Sequence, residues 1–243
     1  MKLTKAVVPS VFTVMNLICG YLSILLVVNG KLSAASYLIL LAIFFDVLDG
    51  KIARKLNQPS RFGLEFDSLA DITSFGVAPS VLIYNAFSGD WVVSGALVAF
   101  LPLLFTGIRL AKFNVHSERH KRRFIGLPAP SMAAVLAGFV LFNLEISYDI
   151  GTAKFVLPLI LSTAILMVST MPFNKFPNFS MKKEGKYNIL LFVFLFSIAL
   201  MFIYRGLVIF PISFIYVLYS FVHWVFHMSK GDESEMADSA IGD

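Results

Sequence analysis

Charge is what this sequence has least of. Asp, Glu, Lys and Arg make up 14% of its 243 residues, against about 25% in an ordinary soluble domain. Hydrophobic residues reach 58%, where roughly 45–50% is usual, so a water-soluble single domain is excluded. Cysteine is nearly missing: Cys19 stands alone inside an apolar run, which excludes a disulfide scaffold. Proline (10) and glycine (15) are few beside 25 phenylalanines, a balance that excludes a chain remaining disordered and solvated. The net charge of +5 is small, and the bases lie in short clusters between apolar stretches rather than along one amphipathic surface. That pattern speaks against nucleic acid as a partner and for an orientation signal in a membrane.

What is present in abundance is long apolar runs. A bilayer-spanning helix needs about 20 mostly apolar residues, and eight stretches qualify: 8–29, 32–55, 66–88, 91–113, 127–147, 152–170, 187–204 and 207–228. The first begins with Lys2 and Lys5, as a secretory signal does. Its apolar part is too long for one and runs straight into the next span, so it reads as a retained helix. Links at 30–31, 89–90, 148–151 and 205–206 are too short to hold a second domain. The expected fold class is therefore all-α, a polytopic membrane helix bundle of about eight transmembrane helices in one domain, 1–230, with an acidic cytoplasmic tail at 231–243.

Sorting Lys and Arg by loop orients the chain. One side carries Lys2, Lys5, Lys51, Arg54, Lys55, Arg61, Lys112, Arg119, Lys121, Arg122, Arg123, Lys175, Lys182, Lys183, Lys186 and Lys230, and the other only Lys31, Lys154 and Arg205. The positive-inside rule places both termini in the cytoplasm, with the inner cell membrane the expected location.

Four acids break the apolar pattern near that side. Asp46 and Asp49 are three apart at the end of the second span, and Asp67 and Asp71 are four apart at the start of the third. Each pair shares a helical face. With Asn57 to Phe62 as a turn and Pro59 as its breaker, the two helices become antiparallel neighbours and the pairs converge. Four carboxylates in one site repel unless a cation neutralises them. Ligands that are all oxygen favour Mg²⁺ or Mn²⁺ over zinc. Two ions suit four acids and suit phosphoryl chemistry, where attacking and leaving oxygens both need charge stabilisation. The plainer alternative is a solvated helix end at the interface.

The spacing Asp46-x-x-Asp49-Gly50-x-x-Ala53-Arg54, eight residues to Gly63, then x-x-x-Asp67-x-x-x-Asp71 resembles the signature of the CDP-alcohol phosphatidyltransferases at every fixed position. The resemblance implies a two-metal site held by Asp46, Asp49, Asp67 and Asp71, displacement of CMP from a CDP-linked lipid by an alcohol, Asp71 as the base, and a homodimer. It also implies that Gly50 and Arg54 contact the CDP part. Gly50 suits close approach of a diphosphate to the backbone, and the planar guanidinium of Arg54 can grip two phosphate oxygens. Gly63 suits a turn that re-enters a helix. Ser60 occupies a loop position that looks like a diphosphate donor in some relatives. Pro9, Thr13 and Asn16, opening the first span, are similar to the start many members use near the nucleotide, where Asn16 can read a cytosine edge.

The acceptor alcohol lies outside that signature. Arg109-Leu-Ala-Lys112-Phe113-Asn114, followed by Phe124-x-Gly126-Leu127-Pro128-x-Pro130, resembles the serine-using branch of the family, with Lys112 standing where arginine is expected. Arg109, Lys112 and Asn114 are therefore the expected serine-binding residues, and CDP-diacylglycerol and L-serine the expected substrates. Glycerol 3-phosphate or inositol phosphate as acceptor, or an ion-binding transporter without chemistry, are the alternatives.

Overall fold

In the computed structural model, residues 7–56, 61–87, 92–116, 126–147, 155–168 and 207–218 are described. All of them that adopt regular structure are helical: α1 (Val7–Val28), α2 (Leu32–Leu56), α3 (Arg61–Asp71), a π-helical stretch (Ile72–Val77), α4 (Ala78–Phe87), α5 (Val92–His116), α6 (Ala129–Ser147), α7 (Val156–Val168) and α8 (Ile209–Leu218). Among the described residues, five helical segments are long and apolar enough to cross a membrane: Val11–Val28, Leu32–Gly50, Phe62–Phe87, Val92–Val115 and Ala129–Ile146. The chain is an integral membrane protein of the polytopic helical kind. The sixth expected span corresponds to the shorter α7, and the eighth overlaps α8. The expected span at 187–204, the tail at 231–243, Ser60 and the basic stretch 117–123 lie outside the described residues.

A helical hairpin organises the first half. Gly30, at φ 73°, ends α1: its N–H donates to the Val27 carbonyl (2.9 Å) and that of Lys31 to Leu26 (2.9 Å). This left-handed cap satisfies carbonyls a helix end would leave bare. The Asn29 amide adds a bond to the Leu25 carbonyl at 2.7 Å. The turn sends α2 back along α1, and the Ser23 hydroxyl donates to the Ala35 carbonyl across the pair at 3.0 Å. Thr13 and Asp49 both lie about 27 Å from the turn, at 1.5 Å per residue, so they meet at the same level.

The third span differs from its expected start. Helix α3 begins at Arg61, so Arg61 and Phe62 are helical rather than part of the turn. Gly63 lies inside the first turn of α3, not at a re-entry point with special backbone angles. Helix α1 packs along α2, α3 and the π stretch, so the two acid-bearing helices are brought together by α1 as well as by their connection.

Immediately after Asp71 the α-helical ladder widens. The Ala78 N–H donates to the Thr73 carbonyl, five residues back, the pattern of a π-helix. Pro79 follows, with no N–H to offer the Phe75 carbonyl four residues earlier. The Thr106 hydroxyl of α5 supplies a long bond to that carbonyl at 3.5 Å. Pro102 likewise interrupts α5, and the neighbouring Leu103 N–H donates to Ser80 Oγ at 3.2 Å. Two locally broken helices thus satisfy one another inside a membrane, where no water is at hand.

Helix α6 is the centre of the core. Met132, Ala133, Val135, Leu136, Ala137 and Val140 are fully buried. Gly138 lets the backbone at Phe210 of α8 come so near that an added Cβ would lie 3.0 Å from its nitrogen. Phe210 also meets Phe139 edge-on, with ring centres 5.2 Å apart.

Candidate active site

Four helices build the site. Asp46 of α2 and Asp67 and Asp71 of α3 each offer a carboxylate oxygen, and the three oxygens lie within 4.8 Å of one another. The convergence expected from the two carboxylate pairs is therefore present for three of the four acids. Asp49, one turn beyond Asp46, is buried at 7% exposure. Its Oδ2 accepts a 2.5 Å hydrogen bond from the Thr13 hydroxyl of α1, while its Oδ1 is buried with no partner. Asp49 also lies close enough for its charge to act on both Asp46 and Asp67.

Helix α1 supplies a second contact. The Asn16 amide donates to Asp71 Oδ1 at 3.1 Å, with Asn16 fully buried and Asp71 8% exposed. The side chains of Thr13 and Asn16, expected beside the nucleotide, here hold two of the carboxylates. From α5, Arg109 directs its charge at Asp71 and Asp46, and its Nε is buried with no hydrogen-bond partner. One cation thus faces several acids inside a span, a combination that is costly unless a ligand completes it.

Other expected residues lie further out. Gly50 follows Asp49 on α2 at the exposed side, and Arg54 occupies the last turn of that helix. Lys112 is exposed on α5. Asn114, at the end of α5, turns to α3, donating to Ser68 Oγ at 3.2 Å and to Glu65 Oε2 at 3.4 Å, while Ser68 donates back to its Oδ1 at 3.3 Å. It joins α5 to the acid-bearing helix beside the cluster.

Sequence reasoning missed Ser74 and Gly20. The Ser74 hydroxyl donates to the Asn16 main-chain carbonyl at 2.9 Å, and a Cβ at Gly20 would lie 2.8 Å from the Ser74 Cα. The signal available was Pro79, which guarantees a disturbed ladder just beyond the last aspartate.

A divalent metal can be tested against these residues directly. The donors are all hard oxygens, three are mutually within 4.8 Å, and a fourth carboxylate has an orphaned buried oxygen. The set fits a hard cation such as Mg²⁺ or Mn²⁺ and does not suit zinc, which prefers nitrogen and sulfur.

Comparison with known proteins agrees with this chemistry. Residues 6–169 match the CDP-alcohol phosphatidyltransferase family. A CDP-diacylglycerol–serine O-phosphatidyltransferase of Helicobacter pylori (strain J99) is 34% identical over 225 residues, 91% of this chain and 92% of that protein. An archaetidylserine synthase of Methanothermobacter thermautotrophicus is 39% identical over 175 residues, covering 71% of this chain and 72% of the relative. A CDP-diacylglycerol–serine O-phosphatidyltransferase of Methanocaldococcus jannaschii is 34% identical over 215 residues, 88% and 92% of the two chains.

Proposed function

The chain belongs to the CDP-alcohol phosphatidyltransferase family, and from that premise we propose that it transfers a phosphatidyl group from CDP-diacylglycerol to the hydroxyl of L-serine, giving phosphatidylserine and CMP. The observation that carries this reading is the meeting of Asp46, Asp67 and Asp71 beside the unpartnered Nε of Arg109. It joins a place for hard cations to a cation able to recognise a carboxylate. The names of the relatives support serine over glycerol 3-phosphate or inositol phosphate.

Asp46, Asp49, Asp67 and Asp71 would hold two divalent ions. Once bound, such ions neutralise the diphosphate and stabilise charge on the oxygen that departs with CMP. The protein's own groups do the rest. Gly50 leaves room for the diphosphate against the backbone of α2, and Arg54 and Ser60 serve the phosphate oxygens from the cytoplasmic end. Thr13 and Asn16 set the carboxylates and border the nucleotide. Arg109 receives the serine carboxylate, with Lys112 and Asn114 completing that side. Asp71 takes the proton of the serine hydroxyl. The serine oxygen then bonds to the phosphorus nearer the lipid as the bond from that phosphorus to the CMP oxygen breaks. The site opens to the cytoplasm, both termini lie on that side of the inner membrane, the membrane domain runs over 1–230 with a solvated tail at 231–243, and the working unit is a homodimer.

The test is CMP release by the purified protein in detergent with Mg²⁺ or Mn²⁺ and CDP-diacylglycerol. Release that requires L-serine is the expected result. Release with glycerol 3-phosphate or inositol phosphate but not serine refutes the acceptor, and binding of ions with no CMP under any acceptor refutes the enzyme. A CDP-linked dialkyl ether lipid offered in parallel distinguishes the two lipid classes named among the relatives.

A further inference from the structure

Ser74 stands outside the family signature and outside the chemistry just described, yet it makes a bond that its position does not demand. Hydroxyls buried in membrane helices ordinarily return to a carbonyl of their own helix. In this chain Ser36 bonds Leu32 and Thr163 bonds Leu159 in that way, whereas Ser23 and Thr106 reach a carbonyl of another helix. Ser74, fully buried, is of the second kind: it reaches across to α1 and donates to the Asn16 carbonyl at 2.9 Å. That carbonyl lies inside a regular helix whose own ladder serves it, so the contact ties two helices together without rescuing an orphan group.

The tie lies on the residue that touches Asp71. Asn16 carries both the carbonyl gripped by Ser74 and the amide that donates to Asp71 Oδ1 at 3.1 Å. Asp71 and Ser74 flank the point where the α-helix becomes a π-helix, a feature frequent at functional sites. Gly20 completes the arrangement, because only a residue without Cβ admits Ser74 at this distance from α1.

We propose that Ser74 is a positioning residue for the reaction, holding α1 against the π stretch so that the Asn16 amide fixes the plane of the Asp71 carboxylate. This inference rests on the reading of Asp71 as the base. Misplacing a reacting group by an ångström can cost about 10²-fold, so loss of the tether lowers kcat by about 10- to 100-fold. The loss falls on kcat more than on KM for the CDP-lipid, whose diphosphate also rests on Gly50 and Arg54, away from the tether.

The experiment is a double-mutant cycle on CMP release, using the full-length protein in detergent with Mg²⁺, CDP-diacylglycerol and L-serine. Ser74→Ala removes one oxygen and keeps the helix. The expected result is a fall in kcat, recovery in Ser74→Thr, and no additional loss when Ser74→Ala is added to Asn16→Ala. Gly20→Ala, pressing on the same contact from α1, gives a similar kcat loss. A Ser74→Ala enzyme with the wild-type kcat, or one whose loss is undiminished in the Asn16→Ala background, overturns the proposal. Asp71→Asn run in the same series separates the two readings: full turnover in that variant removes the base assignment itself, whereas a dead Asp71→Asn beside an unaffected Ser74→Ala removes only the tether.

Discussion

Asp67→Asn tests the acid cluster by an effect opposite to that of most substitutions, namely stabilisation of the metal-free protein. The three clustered carboxylate oxygens lie within 4.8 Å of one another. At an effective dielectric constant near 20, each ionised pair at that separation repels by about 3.5 kcal/mol. Asparagine at 67 keeps the shape and removes two of the three pairs, about 7 kcal/mol with all three acids ionised, before Arg109, water and proton uptake by the cluster offset it. If a quarter survives, about 2 kcal/mol, the unfolding temperature in chelator rises by about 4–8 °C for a chain of this size. Metal binding works the other way. An ion at 100 times its Kd adds about 2.7 kcal/mol to the wild type, or about 5–10 °C, and the variant lacks much of that rise because a ligand charge is gone. The assay is thermal unfolding of detergent-purified protein in EDTA and then across a Mg²⁺ titration, with CMP release followed in parallel. An Asp67→Asn protein that is less stable than wild type in EDTA and just as responsive to Mg²⁺ refutes the metal assignment.

Asp71→Asn should lower turnover by about 10²–10⁴ while CDP-lipid affinity changes much less, as expected for a general base; equal losses of both, measured by kcat and by lipid-induced thermal shift, make it a ligand only. Arg109→Lys keeps the charge but loses the planar fork, and should raise the serine KM by a factor corresponding to about 1–3 kcal/mol with CDP-lipid binding unchanged; the reverse pattern gives Arg109 to the lipid phosphate. Gly138→Val forces side-chain carbons against the Phe210 backbone, where even a single Cβ would lie 3.0 Å from the nitrogen. The cost is about 1–3 kcal/mol of overpacking, read as a lower unfolding temperature with unchanged metal response.

The sequence by itself determined the class of molecule and the identity of the acids. Long apolar runs with charge confined between them leave no other solution in water or lipid, and the helix bounds follow closely: 8–29 became Val7–Val28, and 32–55 became Leu32–Leu56. Helical spacing placed Asp46, Asp67 and Asp71 on converging faces because periodicity is a local property of the chain. Where the signals were weaker the outcome differed. Arg61 and Phe62 entered α3 because nothing in their side chains opposes a helix, and Pro59 restricts only the residues beside it. Only the tertiary structure decided how α1 serves the site. That Thr13 meets Asp49, that Asn16 meets Asp71, and that Ser74 reaches Asn16 across 58 positions of sequence depends on the hairpin register, on the glycine at position 20 and on a π-helical turn. Those are consequences of packing between helices, and no period within one helix records which neighbour its polar groups will find.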